Sequence, residues 1–200
     1  MEKISKILDL DQGMMRTAAL AHWVQGLYRR KKDRPVLVGG AAVELLTGGA
    51  FTTRDLDLAG IMTAAVDGAL KAAGFSREGR HWFHEEKHLI LKFPSRALNA
   101  DEETRERDFA GIPVLIICAE DLIVDRLSAW VRWKSPMDGI SAYLLYRALE
   151  AELDMRKLEN RAAGEEVHTD LLSVREFFVT NGGNVPDDKV VEAWARREPG

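Results

Sequence analysis

At residues 36–41 the chain reads Val-Leu-Val-Gly-Gly-Ala, and at residues 53–58 it reads Thr-Arg-Asp-Leu-Asp-Leu. Pro35 opposes helix before the first segment, and the apolar, β-branched run after it predicts a short buried strand. The two glycines predict the end of that strand, and residues 41–46 predict a short helix directly after them. In the second segment polar and apolar residues alternate, which predicts a strand over residues 52–58 with one buried face.

The rest of the chain predicts a mixed core followed by helices alone. Up to residue 118 we expect helices over 14–30 and 62–73, strands over 80–83, 88–93 and 112–118, and a charged loop or surface helix over 99–108. After residue 118 we expect only helices, over 123–130, 140–158, 167–178 and 190–194. This order predicts an α+β fold, in which helices flank a small mixed β-sheet and the C-terminal half is helical. We therefore expect an α/β core over residues 1–118 and a helical region over 119–200 that packs on it.

The composition is typical of a folded domain. The 200 residues carry 28 Lys+Arg and 32 Asp+Glu, and 46% are hydrophobic, which excludes a disordered chain. The single cysteine, Cys118, excludes an intrachain disulfide framework and a cysteine zinc cluster, and we expect it to be a small buried residue. The mixed charges of residues 1–5 predict no signal peptide. Because no apolar run approaches the roughly 18 residues of a membrane span, we expect a cytoplasmic protein with no membrane partner.

The glycine pair is a candidate phosphate site. If a helix begins directly after a strand, its first backbone N–H groups lack partners within the helix and point outward together with the positive end of the helix dipole. Such a turn binds anions, and Gly39 and Gly40 have no Cβ that would hold a phosphate away. The alternative is an ordinary turn between a strand and a helix.

The two aspartates of the second segment are a candidate metal site. Residues two apart on a strand share a face, so Asp55 and Asp57 lie side by side. Like charges in contact need a neutralising partner, and Mg²⁺ typically takes one or two carboxylates together with substrate phosphates. Thr53 lies on the same face and is a candidate to bind phosphate or to orient Asp55, whereas Arg54 points to the other face. The alternative is that both carboxylates solvate an exposed strand face.

The order of these motifs resembles the nucleotidyltransferase superfamily of the polymerase-β type, and within it the bacterial toxin-like group that includes the AbiE-type abortive-infection toxins. The resemblance covers residues 36–58 well and residues 88–138 loosely. It implies that the glycine pair holds a nucleoside triphosphate and that the two aspartates are catalytic and bind Mg²⁺. Weaker matches in the helical half are Asp121, Asp125, Arg126, Arg132, Lys134 and Asp138.

The same resemblance implies a reaction and a set of partners. A nucleoside monophosphate would pass from the triphosphate to a hydroxyl acceptor on RNA, protein or a small molecule. A relation to toxin–antitoxin systems, with an antitoxin as a candidate partner, is also implied. The residues leave open which nucleotide and which acceptor are used.

Three positions depart from the family pattern. Gly40 stands where serine is frequent, and Phe51 stands where an arginine commonly precedes the threonines. Lys92 stands where a neighbouring strand is expected to supply a third carboxylate, and Glu85 and Glu86 are the alternatives for that role. A lysine beside two aspartates replaces one metal charge. This favours a second hypothesis, in which the fold is kept as a nucleotide-binding or protein-interaction module without turnover.

Other polar groups have simpler explanations. We expect His81, His84 and His88 to lie on a surface hairpin rather than around a metal, because an odd spacing on a strand points side chains to opposite faces. The basic run at residues 29–32 is expected to be a solvated helix end, with a grip on an RNA backbone as the alternative. Trp130 fits a buried helical stripe, which leaves Trp133 as the exposed aromatic residue.

Overall fold

The computed structural model describes residues 4–182 and 186–196. The chain divides into two compact units, with the boundary between Cys118 and Ala119. The N-terminal unit combines strands and helices, and the described part of the second unit contains helices without strands. This confirms the predicted α+β class and the helical C-terminal half.

A seven-stranded mixed sheet forms the centre of the N-terminal unit. Its strands are β1 (Val36–Val38), β2 (Asp55–Ala59), β3 (Ser76–Glu78), β4 (His81–His84), β5 (Leu89–Lys92), β6 (Thr104–Phe109) and β7 (Ile112–Ile117). They lie in the order β3-β4-β5-β2-β1-β7-β6. β1 is antiparallel to β2 and parallel to β7, and β2 is parallel to β5. The two candidate segments of the sequence are therefore neighbouring central strands.

The helices of this unit are α1 (Ile4–Leu8), α2 (Met14–Gly26), α3 (Gly39–Leu46) and α4 (Ala64–Ala72). The central strands are buried through their apolar residues, since Leu37, Leu58, Leu91 and Ile116 are each at most 1% exposed. The alternation predicted for β2 is confirmed, because Leu56 and Leu58 are buried whereas the two aspartates are half-buried. Cys118 is buried, as expected.

The helices of the second unit are α5 (Ala119–Trp133), α6 (Pro136–Leu149), α7 (Met155–Gly164), α8 (His168–Thr180) and α9 (Asp188–Ala195). Aromatic residues fill its interior. The indole of Trp130 donates to the carbonyl of Ala195 at 2.9 Å, and the rings of Phe177 and Trp194 stack with centroids 4.7 Å apart. Trp130 is buried and Trp133 is 80% exposed, which confirms both predictions.

The charged segment over 99–108 was expected to be a loop or a surface helix, and this prediction is wrong for its second half. β6 begins at Thr104 and pairs with β7 along its whole length. β6 lies at the end of the sheet, and its charged side chains are mostly exposed. An edge strand with charges on both faces lacks the apolar alternation by which a strand is recognised, and those charges protect the edge from pairing with another chain.

The long helix expected over 140–158 is also wrong. α6 ends at Leu149, a 3-10 turn follows over Glu150–Glu152, and α7 begins at Met155. Leu153 is extended, and the Asp154 side chain accepts a hydrogen bond from the backbone N–H of Lys157 at 3.0 Å. This N-cap starts a new helix, while the helical spacing of apolar residues continues across the break. Within the described residues, no helix combines the length and the apolar character that a membrane crossing requires.

Candidate functional site

The turn between β1 and α3 brings a glycine against a carboxylate. Gly39 opens α3 with φ +64°, a conformation that a Cβ makes unfavourable. A Cβ on Gly39 would lie 2.6 Å from Oδ2 of Asp57 and 3.2 Å from its Cβ and Cγ. The contact follows from the sheet, because Val38 and Asp57 are paired across β1 and β2. The structure thus places Asp57 directly beside the glycine turn.

Gly40 completes the turn beside the segment that leads into β2. A Cβ on Gly40 would lie 3.4 Å from the Phe51 ring and 3.5 Å from Oγ1 of Thr53. The Thr53 hydroxyl accepts a hydrogen bond from the backbone N–H of Asp55 at 3.1 Å. Thr53 therefore lies next to Gly40 and also fixes the first residue of β2.

Asp55 lies in an ion pair with the lysine of the neighbouring strand. Its Oδ2 is 2.5 Å from Nζ of Lys92, and the two side chains are 34% and 29% exposed. β2 and β5 run parallel with Asp57 opposite Lys92 in the register, so the Lys92 side chain reaches Asp55 diagonally across the two strands. The residue at the position of the expected third carboxylate is thus a cation that offsets the charge of Asp55.

In the described part of the chain, the two aspartates are not joined by a third metal-ligating side chain. Within residues 4–182 and 186–196, no group of three or more His, Cys, Asp and Glu side chains is arranged to hold a metal. The exposed Glu85 and Glu86 therefore do not complete a triad with the aspartates. Of the two aspartates, Asp57 lies against the turn and Asp55 is paired with Lys92.

A buried carboxylate behind the turn escaped the prediction. Glu44 lies on α3, is fully buried and accepts a hydrogen bond from the Thr17 hydroxyl at 2.8 Å. Burial raises the pKa of Glu44, while the Thr17 hydroxyl, the Thr53 backbone and the charge of Arg16 act in the opposite direction. The signal in the sequence was a single acid inside an otherwise apolar helix. Glu44 connects α2 and α3 with the segment that carries Thr53.

A small cavity lies on the same side of the site. It measures about 10 Å³, and its lining includes Arg16, Thr17, Thr53 and Asp55. This volume holds about one water molecule between polar partners. Burial lowers the pKa of Arg16, and the neighbouring Glu44 carboxylate acts against that shift. Asp55 thus borders a small polar cavity that also contacts Thr17, the hydrogen-bond partner of Glu44.

Most of the residues that the resemblance singled out in the helical half form ion pairs within the second unit. Asp121 is buried and accepts from Nζ of Lys157 and Nε of Arg161, each at 2.9 Å. Arg126 bonds to Asp125 at 2.5 Å and to Asp138 at 2.6 Å. These contacts tie α5 to α7 and α6, so an ordinary stabilising role accounts for them.

The three histidines lie on or beside the β4–β5 hairpin. The His84 ring packs edge-on against Phe75, with centroids 5.1 Å apart, and His81 packs edge-on against Phe83 at 6.1 Å. His88 has a left-handed backbone (φ +50°) and ends the turn between the two strands. The odd spacing of His81 and His84 therefore corresponds to two separate aromatic contacts.

Comparison of the chain with protein-family models, curated proteins and solved structures finds no match. The function is therefore inferred from the residues of the site and their geometry.

Proposed function

We propose that this protein is an Mg²⁺-dependent nucleotidyltransferase that moves a nucleoside monophosphate from a nucleoside triphosphate to a hydroxyl acceptor on RNA, protein or a small molecule. The observation that carries the proposal is the contact of Asp57 with Gly39, which sets a carboxylate against a turn that opens a helix. Asp57 would hold a metal there, and the metal would offset the charge of a bound phosphate. We extend the proposal to a cytoplasmic toxin with an antitoxin as its partner.

The backbone of the glycine turn supplies the hydrogen-bond donors that would bind the phosphates. The first N–H groups of α3 point out of the helix end and favour negative charge. Gly39 leaves room for the Asp57 carboxylate, and Gly40 leaves room for Phe51 and Thr53, so a phosphate would be bound by the backbone N–H groups of the turn. Thr53 lies beside Gly40 and orients Asp55 through its hydroxyl. These three residues bind and position the triphosphate.

The carboxylates supply the metal ligands. Asp57 lies at the turn and would hold the metal, and Asp55 would be a second ligand if Lys92 released it. When bound, Mg²⁺ offsets the charge of the phosphates and lowers the pKa of the acceptor hydroxyl. Lys92 then contributes a positive charge near the triphosphate, which suits a site with one metal.

A second candidate function is nucleotide binding without turnover. The ion pair between Asp55 and Lys92 favours it, because this pair competes with the metal for the Asp55 carboxylate. In that case the chain retains Asp57 and the glycine turn as a binding site but lacks the second metal ligand that transfer requires.

The two functions are separated by binding and label-transfer measurements on the same preparations. Calorimetry with each of the four nucleoside triphosphates, in Mg²⁺ and in EDTA, is compared for the wild type, Asp55→Asn, Asp57→Asn and the control Asp188→Asn, which lies exposed on α9. Incubation with α-³²P-labelled nucleotide and extracted RNA or protein tests transfer.

The proposal predicts Mg²⁺-dependent binding that Asp57→Asn weakens by about tenfold or more, together with label on one acceptor class. Asp188→Asn should leave both readouts unchanged. Binding without any label transfer supports the second function. Binding that is indifferent to both Mg²⁺ and Asp57→Asn contradicts the metal assignment in either version.

A further inference from the structure

A large groove lies in the N-terminal unit, away from the glycine turn. It has a volume of about 870 Å³, which falls within the range of small-molecule sites. Its lining includes Val36, the first residue of β1, and Ala59, the last residue of β2. Since β1 and β2 are antiparallel and Gly39 follows the other end of β1, the groove and the glycine turn lie at opposite ends of these strands.

The groove is strongly cationic. Five basic side chains line it: Arg29, Arg30, Lys32, Arg34 and Arg96. Two acidic side chains, Asp33 and Glu102, also line it, so its local charge is +3 in a chain whose net charge is −4. The run at 29–32 is exposed, as expected, but α2 already ends at Gly26. Arg29, Arg30 and Lys32 therefore belong to the groove rather than to the end of α2.

Both acids of the groove already have local partners. Asp33 pairs with Arg30 at 2.5 Å, and Glu102 accepts hydrogen bonds from the backbone and side chain of Asn99 at 2.8 and 3.1 Å. In contrast, Arg29 and Arg96 make no ion pair with any residue of the described ranges. The cationic charge of the groove is thus largely unbalanced from within the unit.

Arg34 adds a further positive charge to this lining. Its Nε is buried and has no hydrogen-bond partner among the described residues, which is unfavourable. Because that atom is closed to solvent, a ligand in the groove would meet the charge of Arg34 rather than this donor.

The groove also has an apolar surface that a bare phosphate chain does not need. Leu27, Ile61, Ala97 and Leu98 contribute to the lining, most of which is apolar. Ile61 is 53% exposed, an unusual state for a large aliphatic side chain in a concave surface. Covering it removes apolar area from water and therefore stabilises a ligand with an apolar body.

We propose that this basic groove binds a small anionic amphiphile, with a phosphate or carboxylate head on Arg29, Arg34 and Arg96 and an apolar body over Ile61 and Leu98. The site is independent of the nucleotide site proposed at the glycine turn. An RNA strand fits the charges but leaves the apolar floor uncovered, so it is the competing occupant in the test.

Calorimetry on the full chain tests the proposal with defined probes. Octyl phosphate and octanoate carry both head and body, inorganic phosphate carries the head alone, 1-octanol carries the body alone, and a twelve-residue oligouridylate represents RNA. The variants are Arg96→Glu and Ile61→Ser, both at exposed positions of the groove. The control is Arg156→Glu, an exposed arginine of α7 outside the groove, and circular dichroism verifies that each variant is folded.

We expect an amphiphile to bind at least about tenfold more tightly than phosphate or octanol, because it gains both contributions. Arg96→Glu should weaken it by about tenfold or more, and Ile61→Ser should also weaken it. Arg156→Glu and Asp57→Asn should leave it unchanged. Whichever octyl probe binds more tightly identifies the head group. Tight binding of oligouridylate without binding of either octyl probe overturns the proposal. So does an affinity for the octyl probes that is unchanged in both Arg96→Glu and Ile61→Ser.

Discussion

Replacing Gly39 by alanine should reveal how closely Asp57 is held against the turn. The new Cβ would lie 2.6 Å from Oδ2 of Asp57 and 3.2 Å from its Cβ and Cγ. Gly48 provides a matched control at the other end of α3, because its φ is +66° and a Cβ there would meet nothing within 4 Å. The two substitutions therefore share the backbone effect and differ in the contact with the carboxylate.

The expected loss in the free energy of unfolding combines a backbone effect, shared by both substitutions, with the contact made only at Gly39. A left-handed backbone costs an alanine about 1–2 kcal/mol, offset by about 0.4–1 kcal/mol because the unfolded chain becomes less flexible. Gly48→Ala should thus lower the free energy of unfolding by about 1 kcal/mol. Gly39→Ala must also displace the Asp57 side chain from its rotamer, which adds about 0.5–1.5 kcal/mol.

Urea unfolding followed by circular dichroism measures this difference. In an Asp57→Ala background, which lacks the carboxylate, most of the excess of Gly39→Ala over Gly48→Ala should disappear. Equal effects of the two alanine substitutions would refute the contact. An excess that persists in the Asp57→Ala background would refute its assignment to the carboxylate.

Three further predictions concern charged groups. Burial raises the pKa of Glu44 above its ordinary 4.5. The protonated Glu44 therefore contributes fully to the free energy of unfolding below pH 4.5, and this contribution is lost as the pH rises through the pKa of the folded state. The free energy of unfolding of Glu44→Gln, relative to that of the wild type, should therefore rise between about pH 4 and pH 8. A difference that does not change with pH would contradict this. Asp121→Ala leaves two cations beside a buried gap and should lower the free energy of unfolding by about 3 kcal/mol in urea titrations, whereas a loss below about 1 kcal/mol would indicate a solvent-screened pair. Lys92→Met should change stability by less than about 1 kcal/mol, because the pair is partly exposed, yet raise Mg²⁺ affinity in calorimetry by about fivefold; unchanged affinity would show that Lys92 does not compete for Asp55.

The central strands were predictable because local chemistry determines them. Pro35, the apolar run and the glycines locate β1 as Val36–Val38, and alternation locates β2 apart from its first residues. The edge strand β6 was not predictable from periodicity, because its charged residues face solvent and only its pairing with β7 makes it a strand. The break between α6 and α7 depends on one cap, Asp154, which an apolar pattern does not show.

The shared face of the two aspartates was predictable from their spacing, but the partners of these side chains were not. Spacing alone indicated that Asp55 and Asp57 share a face, and the strand order then placed Asp57 at the glycine turn. The ion pair of Asp55 with Lys92 depends on the parallel register of β2 and β5, which no local pattern determines. Glu44 was missed for the same reason, since its partner Thr17 lies 27 residues away.

A crystal grown with Mn²⁺ and a non-hydrolysable nucleoside triphosphate would locate the metal and the nucleotide together, because manganese is identified by its anomalous scattering. We predict a manganese peak about 2.1 Å from a carboxylate oxygen of Asp57, with the triphosphate on the backbone amides of Gly39 and Gly40. A triphosphate bound elsewhere, or manganese that does not contact Asp57, would contradict it.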